Sequence, residues 1–211
     1  MQNKTLLIVG SGGHARTVYE VAKLNKFKVV GFVDIKYNKK KINKSDDEID
    51  KQVLGGVDIL ENFDGFIFLA IGDNKIRTSF FKKYLKSKKI TNLIHPNALI
   101  SKKAMLIGHG IFIGSGVILN SYSKLKENCI INSGSIIEHE VNVEENVNIC
   151  PGVKIGGRTK IGKNSFIGIG STILDSINLG SDCLVGAGTV VTKSFPSNSK
   201  ILGVPAKKIV S

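Results

Sequence analysis

From residue 107 to residue 185 an aliphatic side chain returns at every sixth position: Ile107, Ile113, Leu119, Leu125, Ile131, Ile137, Val143, Ile149, Ile155, Ile161, Ile167, Ile173, Leu179 and Val185. If about a quarter of residues in an ordinary chain are Ile, Leu or Val, such an unbroken series arises by chance less than about once in 10⁷ trials, so the period belongs to the fold. Small or β-branched residues recur four places later, at Val117, Ser123, Cys129, Ser135, Val141, Val147, Val153, Thr159, Ser165, Ser171, Cys183 and Thr189. Glycine follows the aliphatic residue at Gly108, Gly114, Gly156, Gly162, Gly168, Gly180 and Gly186. One large and one small inward residue per unit make a short strand and a corner, and three units close a triangular coil. Upstream, Leu99 and Met105 are again six apart, which predicts about five coils between His95 and Val190, ending at Phe195-Pro196.

Residues 1–94 follow another rhythm. Thr5 to Val9 reads as a strand, Gly10-Ser11-Gly12-Gly13 as a turn, and His14 to Asn25 as a helix with Val18, Val21 and Ala22 on one face. Val29 to Val33 is a second strand ending at Asp34, and Gly65 to Ile71 a third buried strand. Gly72-Asp73-Asn74 then leads into a helix bearing Ile76, Phe80 and Tyr84. The expected architecture is a small Rossmann-like α/β domain over 1–94, followed by a β-solenoid over 95–211.

Gly10-Ser11-Gly12-Gly13-His14-Ala15 matches GxGxxG/A between a strand and a helix, so backbone N–H groups and a helix N-terminus face a diphosphate. Asp34 stands where a ribose-binding acid is expected. A domain of this length holds one mononucleotide-type half, which favours the nucleotide of a nucleotide-sugar over NAD.

The composition narrows the setting. The longest apolar run, Phe66 to Ile71, is too short for a membrane span, and the N-terminus lacks a secretory apolar region, so a cytoplasmic protein is expected. Cys129, Cys150 and Cys183 are odd in number without CxxC spacing, which argues for reduced packing residues over a disulfide framework or zinc cluster. The net charge of +13 raises nucleic-acid binding, yet the chain has no tryptophan for base stacking. The lysine runs Lys36 to Lys44 and Lys82 to Lys89 read as solvated surface.

Several short motifs occur in a familiar order: GSGGHA at residues 10–15, Ala70-Ile71-Gly72-Asp73-Asn74 with Arg77, Ile94-His95-Pro96, Ile137-Glu138-His139-Glu140, and Gly203-Val204-Pro205-Ala206-Lys207. The chain resembles, over essentially its whole length, the NeuD/PglD-type bacterial sugar O/N-acetyltransferases of the hexapeptide-repeat class. That resemblance implies a left-handed parallel β-helix, an exception to the usual right-handed crossover. It implies acetyl transfer from acetyl-CoA to the amine of a nucleotide-linked amino-dideoxysugar of the UDP-4-amino-4,6-dideoxysugar type, for surface polysaccharide synthesis. It further implies a homotrimer with active sites between solenoids.

In the family the histidine of the EHE motif is the general base and the following glutamate orients it, which assigns those roles to His139 and Glu140. The residue types suit the chemistry, because an attacking amine must lose a proton and imidazole accepts one near neutral pH. Gly157, one coil after His139, is implied as the backbone donor to the oxyanion. The resemblance also implies that Asn132 places the acceptor, that His14 reaches a neighbouring subunit's site, and that Asp34, Gly72, Asn74 and the glycines Gly10, Gly12 and Gly13 bind the nucleotide-sugar. Relatives often carry a second acid after Asp34; here Ile35 and Lys36 follow. Coenzyme A is implied to contact Asn148, where some relatives have histidine, together with Gly168, Gly186, Gly203, Val204, Pro205 and Ala206. Lys207 and Lys208 are implied to meet its phosphates.

Other readings use the same residues. O-acetylation of a sialic acid needs the same base and fold, and hexapeptide helices also serve as non-catalytic scaffolds. Zinc catalysis usually needs three protein ligands, whereas the repeat holds only His109 and His139, so no metal is expected. A covalent route lacks an activated nucleophile beside His139, which leaves direct attack.

Overall fold

The apolar positions assemble into two bodies in a computed structural model that describes residues 4–37 and 52–209. Residues 1–93 form one compact unit and residues 94–211 the other. Of the first lysine run, residues 38–44 lie outside the described residues, while Lys82, Lys83, Lys86 and Lys89 of the second are exposed.

In the first unit, β1 (Thr5–Val9), β2 (Lys28–Val33), β3 (Val53–Gly55), β4 (Phe66–Leu69) and β5 (Lys89–Ile90) form one parallel sheet. Its order is β3-β2-β1-β4-β5. Leu6, Leu7, Ile8 and Val9 are all fully buried, as expected of a central strand covered on both faces. Helix α1 (Gly13–Leu24) buries Ala15, Val18, Val21 and Ala22. Helix α2 (Asn74–Tyr84) begins where Asp73 Oδ1 accepts the Ile76 N–H at 2.9 Å, an N-cap. It turns Arg77, Phe81 and Tyr84 inward and leaves Ile76 39% exposed, which corrects the expected Ile76/Phe80/Tyr84 face. The cap fixes the phase of the helix; on that phase Phe81 lies three positions before Tyr84, and Arg77 four before Phe81. The edge strands β3 and β5 are too short to leave a pattern of their own.

The second unit is a three-sided parallel solenoid, the left-handed β-helix, with sheets of six, five and eight strands. Two-residue strands stack one coil apart: Leu119 pairs with Ile137, Ile137 with Ile155 and Ile155 with Ile173. Both inward series form one continuous core from Ile111 to Ile201. Several small polar members of the second series bond to the neighbouring coil, as where Ser135 Oγ donates to Cys150 O at 3.0 Å and Thr159 Oγ1 to Leu174 O at 2.9 Å. Such pairing removes the cost of burying a hydroxyl.

Two expectations about the solenoid are corrected. Ile107, Met105 and Leu99 are 46%, 41% and 66% exposed; the inward residues of the first coil are Leu106 and Ile100. Leu125 pairs with Leu106 and Leu119 with Ile100, nineteen residues apart instead of eighteen, so the corner at Gly108-His109-Gly110 holds one extra residue. The solenoid also continues past Phe195-Pro196. Val185 pairs with the fully buried Ile201, and Lys207–Ile209 folds back antiparallel on Lys200–Leu202.

From Gly116 to Gly188 each corner turns through one residue with positive φ, and the three edges use different residue types. One edge has Gly116, Gly134, Gly152, Gly170 and Gly188; a second has Asn128, Asn146, Asn164 and Asp182, all residues that tolerate this conformation. On the second edge the side chains form a ladder, with Asn128 Nδ2 donating to Asn146 at 2.8 Å, Asn146 to Asn164 at 3.0 Å and Asn164 to Asp182 at 3.0 Å. The third edge has Tyr122, Glu140, Arg158 and Ser176, for which a left-handed backbone is uncommon.

Candidate active site

In the first unit the strand order reverses direction at β1 and β4, and the loops leaving their C-terminal ends flank a crevice of the kind that takes ligands in open α/β sheets. Gly10 has φ +109° and a Cβ there would lie 2.7 Å from Ala70 O, so only glycine lets these two loops meet. Gly12, Gly13 and Gly72 face open space, and the first turn of α1 carries no acidic side chain. That leaves room for an anionic group to approach the start of the helix.

Asp34 is already engaged at the end of β2. One oxygen accepts a very short bond from the Ser11 hydroxyl and the other accepts the Lys36 N–H at 2.6 Å, tying the glycine loop to the neighbouring strand. Arg77 is buried and donates to Ile71 O at 3.0 Å and to Asn74 Oδ1 at 3.0 Å, so its guanidinium shapes the loop that carries Gly72 and Asn74. Burial and the Arg77 charge together lower the pKa of His14 to about 4, which makes this histidine a neutral hydrogen-bonding group at ordinary pH. Ser11 and Arg77 are functional candidates that the sequence reading did not place in the site. A hydroxyl inside the glycine motif and a lone arginine on an apolar helix face were the available signals.

In the second unit His139 and Glu140 occupy the edge with the unusual left-handed residues. Their side chains are 45% and 54% exposed, and His139 Nδ1 lies 3.1 Å from Glu140 Oε2. A carboxylate at Nδ1 fixes the tautomer that leaves Nε2 as an acceptor, which is what a general base needs. Gly157 stacks against the ring: a Cβ at that position would lie 2.6 Å from both Cε1 and Nε2. The His139 carbonyl accepts the Arg158 N–H at 2.9 Å, which holds the two corners in register. Beside Glu140 opens a hollow of about 420 Å³ lined by Tyr122, Lys124, Asn142, Arg158 and Lys160, a strongly cationic wall.

One coil beyond Gly157 stands Asp175, which the sequence reading missed. Its Oδ1 accepts the Gly157 N–H at 3.0 Å, and a Cβ on Gly156 would lie 2.2 Å from that same oxygen. The successive glycines therefore have separate reasons: Gly156 admits the carboxylate and Gly157 the imidazole. Asp175 was discoverable by counting two coils past His139.

The remaining expected residues lie on a different edge of the solenoid. Asn132, Gly168 and Gly186 stack in one column, each N–H bonding to the next coil at 2.9, 2.8 and 2.8 Å. Asn132 Nδ2 also reaches Ile149 O at 3.1 Å and Asn148 Oδ1 at 3.4 Å, and Asn148 is buried. Gly203 and Ala206 bond to Val190 at 3.1 and 2.8 Å, while Val204, Pro205 and Lys207 are exposed beside them. Within one chain, then, His139 and Gly157 share one edge, and Asn132, Gly168 and Gly186 share another. None of the three cysteines forms a disulfide among the described residues, and burial raises the Cys150 pKa to about 11, which makes that thiol a poor nucleophile. Among the described residues no cluster of His, Cys, Asp or Glu is placed to hold a metal ion, and no helix is long and apolar enough to cross a membrane.

Comparison with known proteins gives a consistent result. Residues 5–84 match the family model of the PglD N-terminal domain, and residues 158–193 that of the hexapeptide repeat of succinyl-transferase. The acetyltransferase domain of PglB from Neisseria gonorrhoeae, solved with acetyl coenzyme A, is 30% identical, with a TM-score of 0.87 over 98% of this chain and 100% of that one. Perosamine N-acetyltransferase (PerB) from Caulobacter crescentus, solved with CoA and GDP-perosamine, is 28% identical, with a TM-score of 0.87 over 98% and 97%. WeeI from Acinetobacter baumannii, 19% identical with a TM-score of 0.65 over 97% and 99%, shares the fold.

Proposed function

We propose that this chain, which belongs to the NeuD/PglD-type bacterial sugar acetyltransferases, moves the acetyl group of acetyl-CoA onto the amine of a nucleotide-linked amino-dideoxysugar. The observation that carries this reading is the 3.1 Å contact of His139 Nδ1 with Glu140, with bare Gly157 against the far side of the ring. In the proposed reaction the sugar amine attacks the thioester carbonyl carbon while His139 Nε2 takes its proton. The Gly157 N–H meets the negative charge that develops on the carbonyl oxygen. Collapse breaks the C–S bond, and the imidazolium returns the proton to the departing thiolate, so CoA leaves as a thiol.

The acceptor's nucleotide is assigned to the crevice of the first unit, where Gly12 and Gly13 leave the start of α1 open. His14, neutral and close to Arg77, is suited to hydrogen bonding and not to charge pairing. UDP- and GDP-linked 4-amino-sugars are both candidates, the second because PerB was solved with GDP-perosamine. Coenzyme A is assigned to the edge carrying Gly168, Gly186 and Gly203-Val204-Pro205-Ala206, with Lys207 at its phosphates. Because that edge is not the edge of His139, a complete site needs one copy's donor-binding edge against another copy's base, which supports a cyclic assembly and, with the family, a homotrimer. Supplies of acetyl-CoA and nucleotide-sugars place the reaction in the cytoplasm.

The test is thiol release from acetyl-CoA with UDP-, dTDP- and GDP-linked 4-amino-sugars beside free and CMP-linked sialic acids. Turnover on an amino-sugar that His139→Ala abolishes, with coenzyme A binding retained, is the expected result. Turnover confined to sialic acids would make the enzyme an O-acetyltransferase, and absence of coenzyme A binding would refute the assignment.

A further inference from the structure

The N–H assigned to the oxyanion is not free in this structure. It donates to Asp175 Oδ1 at 3.0 Å, and the flanking glycine is bare where that carboxylate lies, since a Cβ on Gly156 would meet Oδ1 at 2.2 Å. A carboxylate oxygen on an amide hydrogen occupies the same chemical place as a tetrahedral oxyanion on it, and a single N–H cannot serve both well. The neighbouring amides offer no substitute: Gly156 N donates to Ile173 O at 2.8 Å and Arg158 N to His139 O at 2.9 Å, both as part of the stacking of the coils. Asp175 itself is exposed at a corner, with room to rotate its carboxylate into water.

We propose that Asp175 is a positioning residue that holds the Gly157 N–H in the free enzyme and yields it to the thioester oxygen when the acyl donor arrives. The inference rests on the proposed role of Gly157. The three stacked corners then divide the work: His139 on one coil takes the proton, Gly157 on the next supplies the donor, and Asp175 on the third keeps that donor aligned until substrate replaces it. The carboxylate orients the peptide plane before binding, which lowers the reorganisation needed at the moment of reaction. Its competition with the thioester weakens the bound ground state.

The competition has a signature that a purely structural role lacks. Acetyl-CoA carries the thioester oxygen that must displace Asp175, whereas CoA ends in a thiol and has no thioester oxygen to contend for the N–H. Removing the carboxylate therefore tightens acetyl-CoA and leaves CoA unchanged. Calorimetric titration of the full chain with each ligand, for wild type, Asp175→Ala and Asp175→Asn, reads this directly. The expected result is that Asp175→Ala binds acetyl-CoA about three- to tenfold more tightly, the equivalent of one hydrogen bond's net worth, with CoA affinity unchanged. Asp175→Asn, whose amide oxygen still accepts but without charge, falls between. Thermal midpoints of both variants verify folding, and the asparagine variant keeps the comparison open if alanine loosens the corner. An unchanged ratio of the two affinities, or equal weakening of both ligands with a lowered midpoint, overturns the inference while leaving an active enzyme's assignment intact. Failure of the wild type to bind acetyl-CoA at all overturns the acetyltransferase reading, and this inference with it.

Discussion

Replacing Gly157 by alanine isolates the position of the imidazole from everything else at the site. The backbone of Gly157 lies outside the left-handed region, so alanine adopts it without strain, and its N–H is retained. The added Cβ would lie 2.6 Å from Cε1 and Nε2 of His139, against an ordinary contact of 3.4 Å or more, so the ring must retreat by about 1 Å. That movement strains the 3.1 Å contact with Glu140 toward the limit of a hydrogen bond. A misplacement of about 1 Å in a reacting group costs on the order of 10²-fold in rate. Stability changes little, by less than about 1 kcal/mol, because the ring is 45% exposed and can shift toward solvent. Thiol-release kinetics and a thermal melt on the same preparation test the split. The expected outcome is a kcat about 10²-fold lower, a KM for acetyl-CoA close to wild type, and an unshifted melting midpoint. Wild-type kcat would refute the claim that Gly157 packs on a catalytic ring, and a midpoint falling along with activity would show that the glycine is needed for the coil instead.

The buried, neutral state of His14 makes the first unit acid-sensitive. Its folded pKa of about 4 lies below the usual 6.5, so the unfolded chain binds the extra proton first; stability is complete above pH 6.5 and is lost as pH falls toward 4. The full loss is about 3 kcal/mol at the lower end of that window, and His14→Asn flattens the dependence of the melting midpoint on pH between 6.5 and 4.5. In the amide ladder, Asn146→Ala removes bonds of 2.8 and 3.0 Å and leaves alanine at φ +61°. Two hydrogen bonds at about 1 kcal/mol each and a left-handed penalty of about 1 kcal/mol predict a loss of roughly 3 kcal/mol in denaturant unfolding. Asn146→Gly, which accepts the backbone, should lose measurably less; equal losses would show that the conformation contributes nothing.

The edge that bears His139 is also the one whose corners use residues ill suited to a left-handed backbone: Tyr122, Glu140, Arg158 and Ser176. The other two edges use glycine or asparagine and aspartate at the equivalent turns. Backbone strain of this kind persists where the surrounding structure over-determines it, and here the stacked coils do so through bonds such as Glu140 N to Ser121 O at 3.0 Å. The corner gains side chains with chemistry at the expense of conformational ease, as functional sites often do.

The hydrophobic period determined the solenoid, because each inward aliphatic position is backed by the same position one coil away and a local pattern is thereby the whole architecture. A buried apolar run followed by glycines and a helical apolar face determined the strand-turn-helix of the first unit, and the eighteen-residue spacing of one coil determined the stacking of Gly157 on His139. Tertiary pairing decided the rest. Leu106 and Ile107 are both aliphatic, so the period runs smoothly through the corner that holds an extra residue, and only pairing with Leu125 shows which of them turns inward. Residue type at the corners on the His139 edge follows no period: Tyr122, Glu140, Arg158 and Ser176 share the turn and not the chemistry, since these residues are exposed and no shared core selects among them. Asp175 takes the Gly157 N–H only because coils distant in sequence are neighbours in space, and Arg77 acquires its place under the Gly72 loop only when Asp73 sets the phase of its helix.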